Sequence, residues 1–181
     1  MVINITFAIT LENAPLKAYR SFMSEYHFNQ YRFTEIPNDL LYSALKLRSD
    51  IFVVEQNCVY PDLDNKDITK DSVHVICETP ITNQQERNVI AYARCLAPGV
   101  SYSGSSIGRV AVALDMRGIG LAQGLMQAAI SVCKENWSRY PIEIGAQLYL
   151  QRFYENLGFV SYGDPYDEDG IMHIDMRLKI E

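Results

Sequence analysis

Residues 114–124 read LDMRGIGLAQG and join a mostly apolar run of strand length, IGRVAVA at 107–113, to a long helical pattern that follows. Gly118 and Gly120 flank the first turn of that helix, and no Ser, Thr, Asp or Asn stands between Met116 and Ala122 to cap its orphan amides. The amides therefore need another acceptor. Glycine lets a ligand approach the backbone, a helix N-terminus carries about half a positive charge, and Arg117 adds a full one. An anionic group such as a pyrophosphate fits this turn. A dinucleotide fingerprint would need G-x-G-x-x-G directly after the strand, whereas here four non-glycine residues intervene and the third glycine, Gly124, falls one place late. A Walker loop would need Gly-Lys-Ser or Gly-Lys-Thr, which is absent.

Outward from the turn, Ala122, Leu125, Met126, Ala129, Cys133 and Trp137 repeat at the offsets of one buried helical stripe, and Pro141 marks its end. IEIGAQ at 142–147 reads as a second buried strand. LYLQRFYENLGF at 148–159 reads as a helix closed by Gly158 in the left-handed C-terminal position. Strands around 159–163 and 171–179 finish the chain. On the N-terminal side, Asp39 caps a helix over about 40–50 that hands over to the apolar run IFVVEQ. The Pro, Asp and Asn-rich stretch 60–71 is a loop. VHVICE at 73–78 and VIAYARCLA at 89–97 pair as antiparallel strands about a turn at NQQE, 83–86. Residues 2–9 suit a strand and 15–29 a helix, so residues 1–30 are treated as an N-terminal appendage and 31–181 as one domain. The element order predicts a mixed α/β sheet.

Sixteen Lys and Arg stand against twenty-two Asp and Glu, a net charge of −6. That balance argues against a cationic face for nucleic acid or anionic lipid. Cys58, Cys77, Cys95 and Cys133 form no C-x-x-C pair and read as reduced, mostly buried thiols. The first apolar stretch has no Lys or Arg before it and is broken by Glu12, so it does not suit a signal peptide or a membrane span, and a cytoplasmic location is expected. Asp62, Asp64, Asp67 and Asp71 would either form an acidic rim for a cationic amine or solvate a loop. Their D-x-D start has neither the glycine nor the closing Glu of a calcium loop, and no metal is expected.

The pattern R-x-x-G-x-A, Arg117 through Gly120 to Ala122, opening a long helix after a buried strand, resembles the acetyl-CoA pyrophosphate loop of the GNAT superfamily of N-acetyltransferases. FVVEQNCVYPDLD at 52–64, IGRVAV at 107–112, GAQLYLQRFYENLGF at 145–159 and DGIMHIDM at 169–176 look like the ElaA branch of that superfamily, over about residues 31–180. The resemblance implies a mostly antiparallel sheet with two central splayed parallel strands flanked by helices. It implies acetyl-CoA as co-substrate and direct attack of an amine on the thioester. Val110, Ala111 and Val112 would pair with pantetheine, and Arg117, Gly118, Ile119, Gly120, Leu121 and Ala122 would frame the pyrophosphate. Tyr154 matches the family's tyrosine that protonates the leaving sulfur; read without the family, it is a core aromatic.

The attacking amine must also lose a proton. The acidic residue that many relatives carry on the strand before the loop has no match in Ser106, Ile107, Gly108 and Arg109. Glu55, His74 and His173 are the candidates for that step, and His173 with Gln147 is assigned to the acceptor side. The acceptor would be a small amine or a lysine side chain, with a homodimer allowed. Two other readings compete: a non-catalytic acyl-CoA-binding module, and a nucleotide-binding regulator.

Overall fold

In the computed structural model, which describes residues 26–79 and 87–180, the most apolar stretches of the chain form the middle of one seven-stranded sheet. Its strands are β1 (Phe28–Tyr31), β2 (Val73–Glu78), β3 (Val89–Leu96), β4 (Ser105–Val112), β5 (Ile142–Gln147), β6 (Val160–Glu168) and β7 (Ile171–Leu178), in the order β1-β2-β3-β4-β5-β7-β6. All neighbours are antiparallel except β4 and β5, which run parallel. β3 is buried along its whole length, as a strand covered on both faces must be.

Two helices provide the cover. α2 (Leu121–Trp137) lays Leu121, Leu125, Met126, Ala129, Val132 and Cys133 against one face. Ala122 and Trp137 sit at the margin of that stripe, half-buried. α1 (Asn38–Arg48) covers the other face, packing Leu40, Ala44 and Leu47 on Ile76, Val89, Tyr92 and Ala111. The short helix α3 (Gln151–Glu155) follows β5.

Three differences from the sequence reading have physical causes. α1 does not stop near residue 50 but continues as a wider, π-type helix over Ser49–Glu55, because Ile51 finds a place in the core beneath it. Phe28 and Asn29 lie in β1 and not in a helix; they pair with Cys77 and Ile76 at the edge of the sheet. The last helical pattern is split, with a 3-10 turn at Leu148–Leu150 before α3. Tyr26 and His27, just before β1, are not helical either, while the strand at 2–9, residues 15–25 of the expected helix and the NQQE turn fall outside the described residues. All four cysteines are buried and unpaired. No helix among the described residues is long and apolar enough to cross a membrane.

Candidate active site at the parting strands

β4 and β5 are hydrogen-bonded for only two register positions, Ser105 with Ile142 and Ser106 with Glu143. Beyond them β4 follows β3 through a bulge, where the register shifts between Tyr92 and Arg94 and Arg109 takes a left-handed backbone at φ 55°. One extra residue bends a strand and increases its twist, so β4 turns away from β5 and leaves a slot between them. Both strands have a glycine at this point. A Cβ on Gly108 would meet nothing within 4 Å, and Gly145 is exposed although its strand lies inside the sheet.

β4 leads into the glycine turn within residues 114–124. Gly118 and Gly120 have φ of 77° and 86°, a conformation that side-chain-bearing residues rarely hold. Gly120 is the N-cap of α2 and provides no side-chain cap. The first amides to bond back are those of Gln123 and Gly124, both to the Gly120 carbonyl. Among the described residues no acceptor meets the amides of Leu121 and Ala122. Two bare amides, a helix dipole and only the small Ala122 beside them fit a phosphate or pyrophosphate oxygen.

Arg117 is placed differently from the expectation that it offers a free charge to the anion. Its Nη1 and Nη2 donate to the two carboxylate oxygens of Glu55 at 2.7 and 2.8 Å, and its Nε donates to the Val112 carbonyl at 3.0 Å. The pair ties the end of the π-type helix to the loop. It also occupies both oxygens of Glu55 in a bidentate pair. Val112, expected to pair with a ligand, already accepts from Arg117.

Tyr154 is 8% exposed, edge-on to Phe153 and Phe159. Its backbone is fixed by the turn that ends α3. Phe159 N–H donates to the Tyr154 carbonyl at 3.1 Å and Gly158 N–H to the Glu155 carbonyl at 2.9 Å, with Gly158 at φ 92°. Its hydroxyl makes no hydrogen bond to any described residue. Arg94 Nε is the one fully buried side-chain polar atom without a partner among those residues, so the Tyr154 hydroxyl still touches solvent. Burial holds the phenol well above its usual range, which keeps it protonated.

His74 corrects the sequence reading, since it is sealed inside the protein at 1% exposure. Its Nε2 is 3.0 Å from the Asp67 carbonyl, which can only accept, and its Nδ1 is 2.7 Å from the Tyr92 hydroxyl. Both ring nitrogens are committed, and burial lowers its pKa, so it is a neutral structural residue. The acidic rim is also corrected. Arg48, fully buried, donates to Asp62 at 3.0 Å and to Asp67 at 2.6 Å. Arg94 grips Asp64 with two bonds of 2.7 and 2.8 Å, and Arg109 holds Asp62 at 2.7 Å. Three of the four aspartates are thus spent on arginines and fasten the 60–71 loop to the sheet. Burial alone would raise the Asp64 carboxyl, but the Arg94 guanidinium outweighs it and holds the group down at about 2.

Gln147 and His173 are brought together, opposite each other across β5 and β7. Gln147 Nε2 donates to Gln56 at 3.3 Å, and its Oε1 accepts from the Tyr149 hydroxyl. His173 Nδ1 is 2.8 Å from the Ile171 carbonyl, and its ring stacks on Tyr166. Because a carbonyl only accepts, the neutral ring carries its proton on Nδ1, which leaves Nε2 as an open lone pair. The sequence reading passed over Gly145, Asp175, Tyr102 and Tyr166, which meet beside this pair. The alternation in IEIGAQ and DGIMHIDM could have put Gly145 and Asp175 on one face, but nothing in the sequence links them to Tyr102.

Comparison with known proteins finds the same fold and sequence family. Residues 54–180 match the family profile described as the acetyltransferase (GNAT) domain. The chain is similar to protein ElaA of Escherichia coli, at 37% identity over 147 residues, which covers 81% of this chain and 92% of ElaA. The crystal structure of E. coli ElaA superposes with a TM-score of 0.76 at 36% identity, covering 85% of this chain and 99% of that one. That of an acyl-CoA N-acyltransferase from Pseudomonas aeruginosa gives 0.76 at 33% identity, covering 84% and 99%.

Proposed function

Since the chain belongs to the GNAT superfamily of N-acetyltransferases, in its ElaA-like branch, we propose that it transfers the acetyl group of acetyl-CoA to a primary amine, a small molecule or a lysine side chain. The observation that carries this reading is the parting of β4 and β5 above a glycine turn with bare helix amides. The edge of β4 around Val110 and Ala111 would take the pantetheine amides, and the backbone from Gly118 to Ala122 the pyrophosphate. The thioester supplies the acyl group. In the transfer the amine nitrogen bonds to the acyl carbon as the carbon–sulfur bond breaks; the nitrogen gives up a proton and the thiolate takes one.

Tyr154, protonated and otherwise unbonded, is the proposed donor to the sulfur. His173, with Nε2 open on the acceptor face, is the proposed acceptor of the amine proton. Glu55 is proposed as a positioning residue that holds Arg117 and the loop.

Thiol release from acetyl-CoA across a panel of primary amines tests the proposal. Turnover with at least one amine, slowed in His173→Gln, is expected. Saturable coenzyme binding with no thiol release on any amine would replace the transferase with a binding module.

A further inference from the structure

β5 and β7 place three cross-strand pairs on the face where the acceptor would enter. In the first, Glu143 opposite Arg177, the charge is cancelled: Arg177 donates to Glu143 at 2.7 Å, and Ser103, Gly104 and Tyr162 complete the carboxylate's shell. In the third, Gln147 opposite His173, both partners are formally neutral. The middle pair is Gly145 opposite Asp175. There the strand supplies no side chain to meet a carboxylate, and no Arg or Lys among the described residues pairs with it.

What meets Asp175 is a pair of phenols. Tyr102 and Tyr166 donate to the same oxygen, Oδ1, at 3.0 and 3.1 Å. Burial raises both phenols, and the Asp175 charge adds to the rise, so they stay protonated and donate. The second carboxylate oxygen has no partner among the described residues. Two phenols orient a carboxylate without cancelling its charge. The floor at this point is Gly145, open to solvent, and a Cβ there would stand 3.0 Å from each tyrosine hydroxyl. The walls are aromatic: Tyr102 and Tyr166, with His173 stacked behind. An oriented, uncancelled carboxylate between aromatic rings at an open recess suits an ammonium ion, which gains both the charge pairing and the ring faces.

We propose that Asp175, Tyr102 and Tyr166 bind a second positive charge on the acceptor, so that the preferred substrates are amines bearing an additional cationic group, such as diamines. The proposal rests on the transferase reading for the ligand being an acceptor. Asp175 is assigned as an anchor and not as a base, because both tyrosine hydroxyls hold its Oδ1 in place across the strand pair.

The test is calorimetric titration of the full chain with cadaverine and with pentylamine, which differ by one ammonium group. Cadaverine is expected to bind at least about tenfold more tightly than pentylamine. In Asp175→Asn the ratio should collapse to about one. Gly145→Ala, which leaves the charge in place but raises a methyl against both hydroxyls, should weaken cadaverine and spare pentylamine. Equal affinities in the unaltered protein, or no binding of either amine, would overturn the proposal whether or not any variant folds. So would cadaverine that binds but is never acetylated by a protein that acetylates other amines. Coenzyme titration in the same samples reads the transferase proposal separately, since its failure would leave the amine ratio unchanged.

Discussion

The charge network beneath α1 and the slot where β4 and β5 part adjoin at Arg109 on β4, yet they treat charge in opposite ways. Under α1, Arg48, Arg94 and Arg109 are matched to Asp62, Asp64 and Asp67, and His74 and Tyr92 join the network, in which Arg94 Nε alone stays without a partner among the described residues. Where the strands part, the Tyr154 hydroxyl, one oxygen of Asp175 and the amides of Leu121 and Ala122 have no partner among the described residues. A buried charge stays charged only if it is paired, so each carboxylate of the first region needs its arginine for the loop over 60–71 to close on the sheet. Groups left unpaired are tolerated in the second because the slot is open to solvent. Saturated polar groups hold a fold, and open ones are available to a ligand. On this comparison, damage to the first region should appear in stability and damage to the second in chemistry.

The largest expected effect is on the closed side. Arg48→Ala takes the fully buried guanidinium away from Asp62 and Asp67 and leaves them only Arg109 and Arg94, and denaturant unfolding should show a loss of about 3–5 kcal/mol. A loss below about 1 kcal/mol would mean that water reaches the network. On the open side, Tyr154→Phe should lower kcat by about a hundredfold, roughly 2.7 kcal/mol, with little change in unfolding midpoint or coenzyme affinity. An unchanged kcat would return Tyr154 to the core. The smallest effect is again on the closed side and depends on pH. Asp64 is held down at about 2, whereas an unfolded aspartate titrates near about 3.9. Its contribution is therefore complete above about pH 4 and is lost as pH falls towards 2. Asp64→Asn should be less stable than the parent at neutral pH by about 1–3 kcal/mol, and the gap should narrow in acid. A gap that does not change with pH would place the effect outside the ion pair.

The sequence made the open region easier to read than the closed one. The strands VHVICE and IEIGAQ, the long helix and the glycine turn are contiguous signals, apolar runs or local backbone requirements that need no knowledge of the rest of the chain. The four-residue strand FNQY is too polar and too short to stand out, because an edge strand buries little. The run IFVVE looks unhelical on propensity, yet the core beneath α1 keeps it helical. The charge network could not be read at all. Asp62 meets Arg109 across 47 residues and Tyr102 meets Asp175 across 73, and such pairs exist only once the chain is folded. The same ignorance made His74 a plausible base and left Asp62, Asp64 and Asp67 as a plausible rim.

Titration with acetyl-CoA by calorimetry tests the central claim, that the bare turn between β4 and α2 holds the coenzyme. Saturable binding with a dissociation constant below about 1 mM is expected. Gly120→Glu, which adds bulk and negative charge at a position with φ of 86°, should abolish it. No saturable binding to the unaltered protein, or unchanged affinity in a folded Gly120→Glu variant, would contradict the account.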